Sequence, residues 1–315
     1  MENLIFSLNA TIPIFLMMVL GVFFRKTGLL KENMINGLNQ FVFKATLPVL
    51  LFGDLAKQDF SKAWDGKFVA FCFMATLLSI SLVALMSMAL KDKSQRGEFI
   101  QGAYRSSAAI LGIAFITNIY GNSGMAPLMI IGSVPLYNIM AVVVLSFTKP
   151  GQNGMSPELI KKTLKGIATN PIILGILAGL VVGLLGIDFP VIVDKTVNSV
   201  AQMATPLALI TIGAGFEGRK ALAKIRPTIA ASMIKLVIQP LIFLPVAAWM
   251  GFRGEQMIAI LIMLASPTTP SCYIMAKSMN NDEVLTASVI VTTTLMAAFT
   301  LTGWIFLLKT LGYIG

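Results

Sequence analysis

The residues best placed for chemistry lie in the run 265–271 (ASPTTPS), which apolar segments flank on both sides. Its two prolines each remove a backbone donor and clash with the preceding helical turn. The run therefore predicts a broken helix whose freed backbone groups and hydroxyls face a ligand. A kinked helix whose hydroxyls bond back to its own backbone is the alternative. The predicted substrate contacts are Pro267, Thr268, Thr269, Pro270 and Ser271.

A second group of candidates lies in the first half of the chain. Ser106 and Ser107 begin an apolar run that contains Gly112 but no proline, so a helix break there is less strongly indicated. Asn138 follows in the apolar run 134–138 (VPLYN). An unpaired amide in a membrane is costly, so Asn138 either contacts substrate or makes a structural bond between helices. All three are predicted substrate contacts.

Three cations, Lys44, Arg105 and Lys235, remain within or at the edge of apolar segments. The carboxylates fall in loops or at helix ends, with Asp54 the deepest. Lys44 and Lys235 therefore suit an anionic substrate or a set of helix carbonyls, with snorkelling to the interface as the alternative. Sodium/proton antiport needs carboxylates near the midplane, and the sequence offers none.

Composition indicates an integral membrane protein. The 315 residues are 56% hydrophobic and 12% charged, whereas soluble domains carry about a quarter charged residues. Histidine is absent and the two cysteines lie in apolar runs, so no enzyme activity, metal site or cofactor is predicted. The net charge of +10 comes from residues between apolar runs, which argues against nucleic-acid binding.

Apolar runs of about 20 residues predict ten transmembrane spans. They lie near 8–24, 37–55, 68–90, 99–119, 125–147, 171–187, 197–215, 228–250, 256–277 and 284–308. Lys and Arg concentrate in the loops that follow odd-numbered spans. The positive-inside rule therefore predicts that both termini lie on the non-cytoplasmic side of the cytoplasmic membrane.

An internal repeat is indicated at an offset of 158 residues. The offset pairs Gly21 with Gly179 and Pro48 with Pro206. Five spans per half would insert the second copy upside-down, which is the plan of many secondary transporters. The predicted division is a first repeat at 1–150 (spans 1–5), a cytoplasmic linker at 151–170 and a second repeat at 171–315 (spans 6–10).

Several ordered motifs resemble the auxin efflux carrier family, which includes plant auxin carriers and bacterial malate- or malonate-type permeases. They include 12–16 (IPIFL), 25–30 (RKTGLL), 39–43 (NQFVF), 47–52 (LPVLLF) and 204–209 (ATPLAL). They continue with 120–121 (YG), 134–138 (VPLYN), 266–267 (SP) and 276–277 (AK).

The resemblance implies ten helices in two inverted repeats, in which broken spans 4 and 9 cross near the substrate. Spans 1, 2, 6 and 7 would form a scaffold domain, and spans 3–5 and 8–10 a transport domain. It also implies a homodimer that moves a small organic anion by elevator-type alternating access. Pro267 matches the family's proline at the second crossing. Ser106, Ser107 and Ala114 depart from the proline–asparagine and proline of many relatives, which is compatible with a different substrate.

Coupling is open at the level of sequence. Without titratable carboxylates in the membrane core, uniport driven by the membrane potential is one hypothesis. A sodium-coupled organic-anion symporter of the bile-acid-transporter type is the alternative, with Thr268, Thr269, Ser271 and backbone carbonyls as sodium ligands.

Overall fold

The regular structure of the chain is helical throughout the described residues. The computed structural model describes residues 2–57, 65–108, 116, 120, 124–148 and 157–314. Its helices are α1 (Glu2–Lys26), α2 (Glu32–Phe41), α3 (Leu47–Ala56), α4 (Gly66–Ser87), α5 (Arg96–Tyr104), α6 (Ala126–Phe147), α7 (Pro157–Ala168), α8 (Pro171–Leu185), α9 (Val191–Gln202), α10 (Ala204–Gly215), α11 (Gly218–Ala223), α12 (Ile225–Met233), α13 (Gln239–Trp249), α14 (Gly254–Ala265), α15 (Ser271–Ser278) and α16 (Glu283–Thr310).

Among the described residues, five helical stretches are long and apolar enough to cross a membrane: Gly66–Ser87, Ala126–Phe147, Val191–Gly215, Ile225–Trp249 and Glu283–Thr310. Each overlaps a predicted span, and the other predicted spans also fall on helices. Residues 109–115 and 117–119 of the fourth span, which include Gly112 and Ala114, lie outside the described residues, and so does Gly121. The chain is therefore an all-helical, multi-pass membrane protein.

In the part of the chain that the structure describes, two short π-helical turns interrupt the helices, at Val42–Thr46 between α2 and α3 and at Ile234–Ile238 between α12 and α13. Such single-turn insertions often occur at functional sites. Each carries one of the lysines that the sequence analysis selected, Lys44 in the first and Lys235 in the second.

Glycines allow two pairs of helices to touch backbone to backbone. Gly21 of α1 lies against the carbonyl of Ile210 in α10, where a Cβ would overlap the oxygen. Gly179 of α8 lies against Phe52 in α3, where a Cβ would be 2.7 Å from the carbonyl oxygen. Residue 21 pairs with 179 and residue 52 with 210 at the offset of 158. The two contacts are therefore equivalent positions of the predicted repeat.

The second-half helix α14 forms the centre of the molecule. Every residue from Met257 to Ala265 is buried, as expected for a helix that is apolar on all sides. By contrast, α8 exposes Leu174, Leu177 and Val181 on its outer side. An apolar outer face of this kind fits contact with lipid.

Candidate functional site

The centre of the site is the contact between two helix breaks. Helix α14 ends at Ala265 and α15 begins at Ser271, which confirms the predicted interruption. Ser266 precedes Pro267 and is extended, with φ −69° and ψ 157°, because a residue before proline avoids the helical region. In the first half α5 ends at Tyr104, and the backbone N–H of Ser107 donates to the Pro267 carbonyl at 2.9 Å.

The second half of the chain binds the freed carbonyls at the end of α5. Thr268 Oγ1 donates to Gly102 O at 2.7 Å, and Gln239 Nε2 donates to Ala103 O at 2.8 Å. Lys235 Nζ donates to the next carbonyl, Tyr104 O, at 3.1 Å. A helix that ends inside a membrane protein needs such donors, because lipid provides none. The Thr268 hydroxyl therefore bonds to another helix, not to its own.

The end of α14 is bound in the same way by the first half. Tyr137 OH donates to Met263 O at 2.8 Å, and Ser106 Oγ donates to the same carbonyl. The next carbonyl, Leu264 O, accepts from Lys235 Nζ at 2.7 Å, and this lysine belongs to the second half itself. Each helix end thus depends on side chains from the other half of the chain, with Lys235 contacting both ends, which explains how two broken helices are stable at one place.

A small cavity of about 60 Å³ adjoins this contact. One side is formed by α3 and α10, mostly with apolar residues such as Leu47, Leu51 and Ala208. The other side is formed by the first break, α6 and the beginning of α15. The polar residues on that side are Arg105, Ser106, Ser107, Tyr137, Asn138, Thr269 and Ser271.

Arg105 is the main charged group of this cavity and is only 1% exposed. Its Nη2 donates to Asn138 Oδ1 at 2.6 Å and to Ser271 Oγ at 2.9 Å, and its Nη1 donates to Met275 Sδ at 3.0 Å. Asn138 Nδ2 donates to Val134 O at 2.9 Å, which turns the amide oxygen toward the guanidinium. All these partners are neutral, so the described residues leave the buried positive charge without a close counter-ion.

The beginning of α15 adds to the positive potential. Thr269, Pro270 and Ser271 line the cavity at the N-terminal end of this helix. The helix dipole makes such an end favourable for anions. With Arg105 beside it, this side of the cavity has the chemistry of a carboxylate-binding site.

The structure distributes the predicted site residues over three places. The cavity brings together Ser106, Ser107, Asn138, Thr269, Pro270 and Ser271. Pro267, Thr268 and Lys235 lie at the contact of the helix breaks and are not part of the cavity lining. Lys44 is exposed and lines a separate polar pocket with Asn39 and Lys277. Direct contact of any of these residues with substrate stays a prediction.

Arg105 is the site residue that sequence reasoning missed. It was recognised as a cation within or at the edge of a span, but only the two lysines were proposed as anion partners. The available signal was its position inside the predicted span 99–119. The two neutral partners, Asn138 and Ser271, lie 33 and 166 residues away, so nothing local indicated that the guanidinium would be buried.

Two carboxylates reach further into the protein than their positions in the sequence indicated. Asp54 is half-buried and lines the cavity from the α3 side. Glu98 is fully buried in the first turn of α5, and its Oε1 accepts from the backbone N–H of Asp282 at 2.7 Å. Glu98 is not among the cavity residues, so Asp54 is the carboxylate that bears on the site.

An all-helical membrane bundle with a cavity at a contact of helix breaks defines a class, that of membrane transport proteins. Comparison with known families agrees, because the family described as "Membrane transport protein" matches residues 6–305. The chain belongs to this family, the auxin efflux carrier group that its motifs resemble, and is a transporter and not an enzyme.

Curated relatives are distant but similar in length. A protein of Rhizobium meliloti named "Putative malonate transporter" is 22% identical over 278 residues, which are 86% of each chain. An uncharacterized transporter of Methanothermobacter thermautotrophicus is 20% identical over 302 residues, which are 95% of this chain and 97% of the relative.

Proposed function

We propose that this protein is a secondary transporter that moves a small organic anion, a carboxylate, across the cytoplasmic membrane. The observation that carries the proposal is the buried Arg105 guanidinium, whose described partners are all neutral. An uncompensated buried charge is costly, and a bound carboxylate would compensate it through paired N–H···O bonds. The relative named as a malonate transporter supports the same class of substrate.

The proposed binding mode uses two groups on the polar side of the cavity. The carboxylate lies against Arg105 and the N-terminal end of α15, while Asn138 and Ser271 keep the guanidinium in position. Ser107 and Thr269 supply hydroxyls at the edge. The apolar side formed by α3 and α10 excludes water without holding the substrate.

Uptake into proteoliposomes tests this proposal. We expect the wild-type protein to exchange labelled malonate or a related small carboxylate, and Arg105→Gln to reduce exchange at least tenfold. Arg105→Lys keeps the charge but not the paired geometry, so its exchange rate should lie between those of wild type and Arg105→Gln. Thr300→Val is a matched control, because its hydroxyl bonds only to the carbonyls of its own helix in the described structure. Equal exchange by wild type and Arg105→Gln would contradict the binding mode.

Elevator-type alternating access is the second part of the proposal. The cavity lies between the predicted scaffold, which contributes α3 and α10, and the predicted transport domain, which contributes Arg105, α6 and α15. The equivalent glycine contacts of α1 with α10 and of α3 with α8 support a two-fold related scaffold. A transport domain that carries the polar side past an apolar scaffold would expose the same site to each side of the membrane in turn.

A bulky residue on the scaffold side tests this mechanism. We expect Leu51→Trp to leave binding of carboxylate measurable by thermal shift but to slow exchange at least tenfold, because the polar side can no longer slide past it. Leu174→Trp, on the exposed face of α8, is the control and should exchange normally. Loss of binding and exchange together would point to a collapsed cavity and not to blocked movement.

The remaining parts of the proposal concern placement and assembly. The distribution of Lys and Arg supports an inner-membrane protein with both termini on the non-cytoplasmic side, and the family resemblance supports a homodimer. Light scattering of the detergent-purified protein and accessibility of a terminal tag in intact cells test these two points.

A further inference from the structure

Lys235 joins the ends of the two broken helices. Its side chain is fully buried on the π-helical turn Ile234–Ile238. Its Nζ donates to Tyr104 O of α5 at 3.1 Å, to Leu264 O of α14 at 2.7 Å, and to Ser106 Oγ. One ammonium thus contacts both C-terminal ends and the hydroxyl that lies between them.

The hydrogen-bond pattern suits the charged form of this lysine. Three oxygens, Tyr104 O, Leu264 O and Ser106 Oγ, lie within hydrogen-bond reach of Nζ, and an ammonium has three protons to donate to them. Ser106 Oγ can then donate its own proton to Met263 O.

Two helix C-termini at one place create a site for a cation. The last carbonyls of a helix carry a negative partial charge, and here the ends of α5 and α14 share one contact region. In sodium-coupled transporters with broken helices, such ends and unwound carbonyls coordinate the ion. The ammonium of Lys235 makes the contacts that an ion would make there.

We propose that Lys235 is a tethered cation that takes the place of a coupling ion at the helix crossing, so that transport requires no sodium. The inference rests on the proposed function. It distinguishes sodium-independent transport from sodium-coupled symport, because a sodium-coupled symporter would need the position of the ammonium to be free for the ion. One of the hydroxyls predicted as sodium ligands, that of Ser271, is also unsuitable. Ser271 Oγ accepts from the Arg105 guanidinium, and a cation beside it would be repelled.

Wild-type protein gives the first test. We expect the same rate of carboxylate exchange, within twofold, when all sodium and potassium are replaced by N-methylglucamine. A loss of tenfold or more on removal of sodium would overturn the inference. Absence of any carboxylate exchange would contradict the proposed function and would leave the stability test below to decide the inference.

Removal of the ammonium gives the second test, which needs no substrate. We expect the thermal midpoint of Lys235→Ala to be lower than that of wild type in N-methylglucamine and to rise when sodium or ammonium chloride is added. Carboxylate exchange should fall at least tenfold and recover in part with the same ions. Lys235→Gln, which retains two donors, replaces the alanine variant if that variant does not fold.

Lys44→Ala is the matched control. Lys44 also lies on a π-helical turn, but it is exposed and lines the other pocket, so its variant should show no response to sodium or ammonium beyond that of wild type. An equal response of both lysine variants, or no response of the Lys235 variant, would overturn the inference.

Discussion

At the scale of single residues, the site is decided by one cation and the amide that holds it. The short bond from Arg105 to Asn138 Oδ1 directs the guanidinium, and the bond from Asn138 Nδ2 to its own helix directs the amide. Sequence analysis identified Asn138 and left open whether it was structural. One of its bonds is structural, to the Val134 carbonyl of its own helix. The other accepts from Arg105, the proposed ligand of the substrate, so Asn138 links the structural and the functional interpretation. Direct contact of Asn138 with substrate stays a prediction.

Changing the charge at position 138 separates folding from transport. Asn138→Asp places a carboxylate within reach of Arg105, and a buried ion pair then replaces the charge that the substrate would compensate. We expect folded yield near that of wild type and carboxylate exchange reduced at least tenfold. Asn138→Ala should also reduce exchange more than yield. Comparable losses of yield and exchange in both variants would show a purely structural residue.

At the scale of elements, the two interrupted helices need partners for their last carbonyls. Proline predicted the break near Pro267, because its effect on the preceding turn is local. The break at Arg105–Ser107 has no such signal. It is stable because Thr268, Gln239 and Lys235 bind the carbonyls that end α5, and these donors come from distant parts of the chain.

Two neighbouring threonines test this account. Thr268→Val leaves Gly102 O without its partner, and an unsatisfied buried carbonyl costs about 1–3 kcal/mol. We expect a lower thermal midpoint for this variant. Thr269→Val is the internal control: its hydroxyl lies 3.2 Å from Ser271 Oγ at the cavity, so stability should stay near wild type. Equal midpoints for the two variants would contradict the structural role of Thr268.

The contacts between α1 and α10 and between α3 and α8 depend on the absence of side chains. Gly21→Ala and Gly179→Ala each place a methyl group against a carbonyl, and overpacking of this kind costs about 1–3 kcal/mol. We expect both variants to have lower thermal midpoints. Gly303→Ala in α16 meets nothing within 4 Å and should stabilise the helix by up to about 1 kcal/mol. An unchanged thermal midpoint for Gly21→Ala together with a lower midpoint for Gly303→Ala would contradict the close contact of α1 with α10.

At the scale of the whole molecule, the cavity places a buried positive charge between two groups of helices. An anion carried alone moves charge across the membrane, and the membrane potential then contributes about 2.3 kcal/mol per charge per 100 mV. Under the uniport hypothesis of the sequence analysis, the membrane potential is therefore the driving force.

Voltage dependence tests uniport. With a monovalent anion and a potential of 100 mV set by potassium and valinomycin, we expect an accumulation ratio of up to about 50-fold on the positive side. Reversal of the potential should reverse the direction. Accumulation that follows a pH gradient and ignores the potential would contradict uniport and would direct attention to Asp54, the carboxylate that lines the cavity.

The sequence by itself determined that this is a helical, multi-pass membrane protein and that one helix breaks near Pro267. Hydrophobicity over 20 residues and the geometry of proline are local properties, so they can be read without knowing the fold. Only the tertiary structure decided that Arg105 lines the cavity and that Thr268 and Lys235 donate to the last carbonyls of broken helices. It also decided that Lys44 lines a separate pocket. These outcomes depend on contacts between residues far apart in the chain, such as Lys235 with Tyr104, so local sequence patterns cannot predict them.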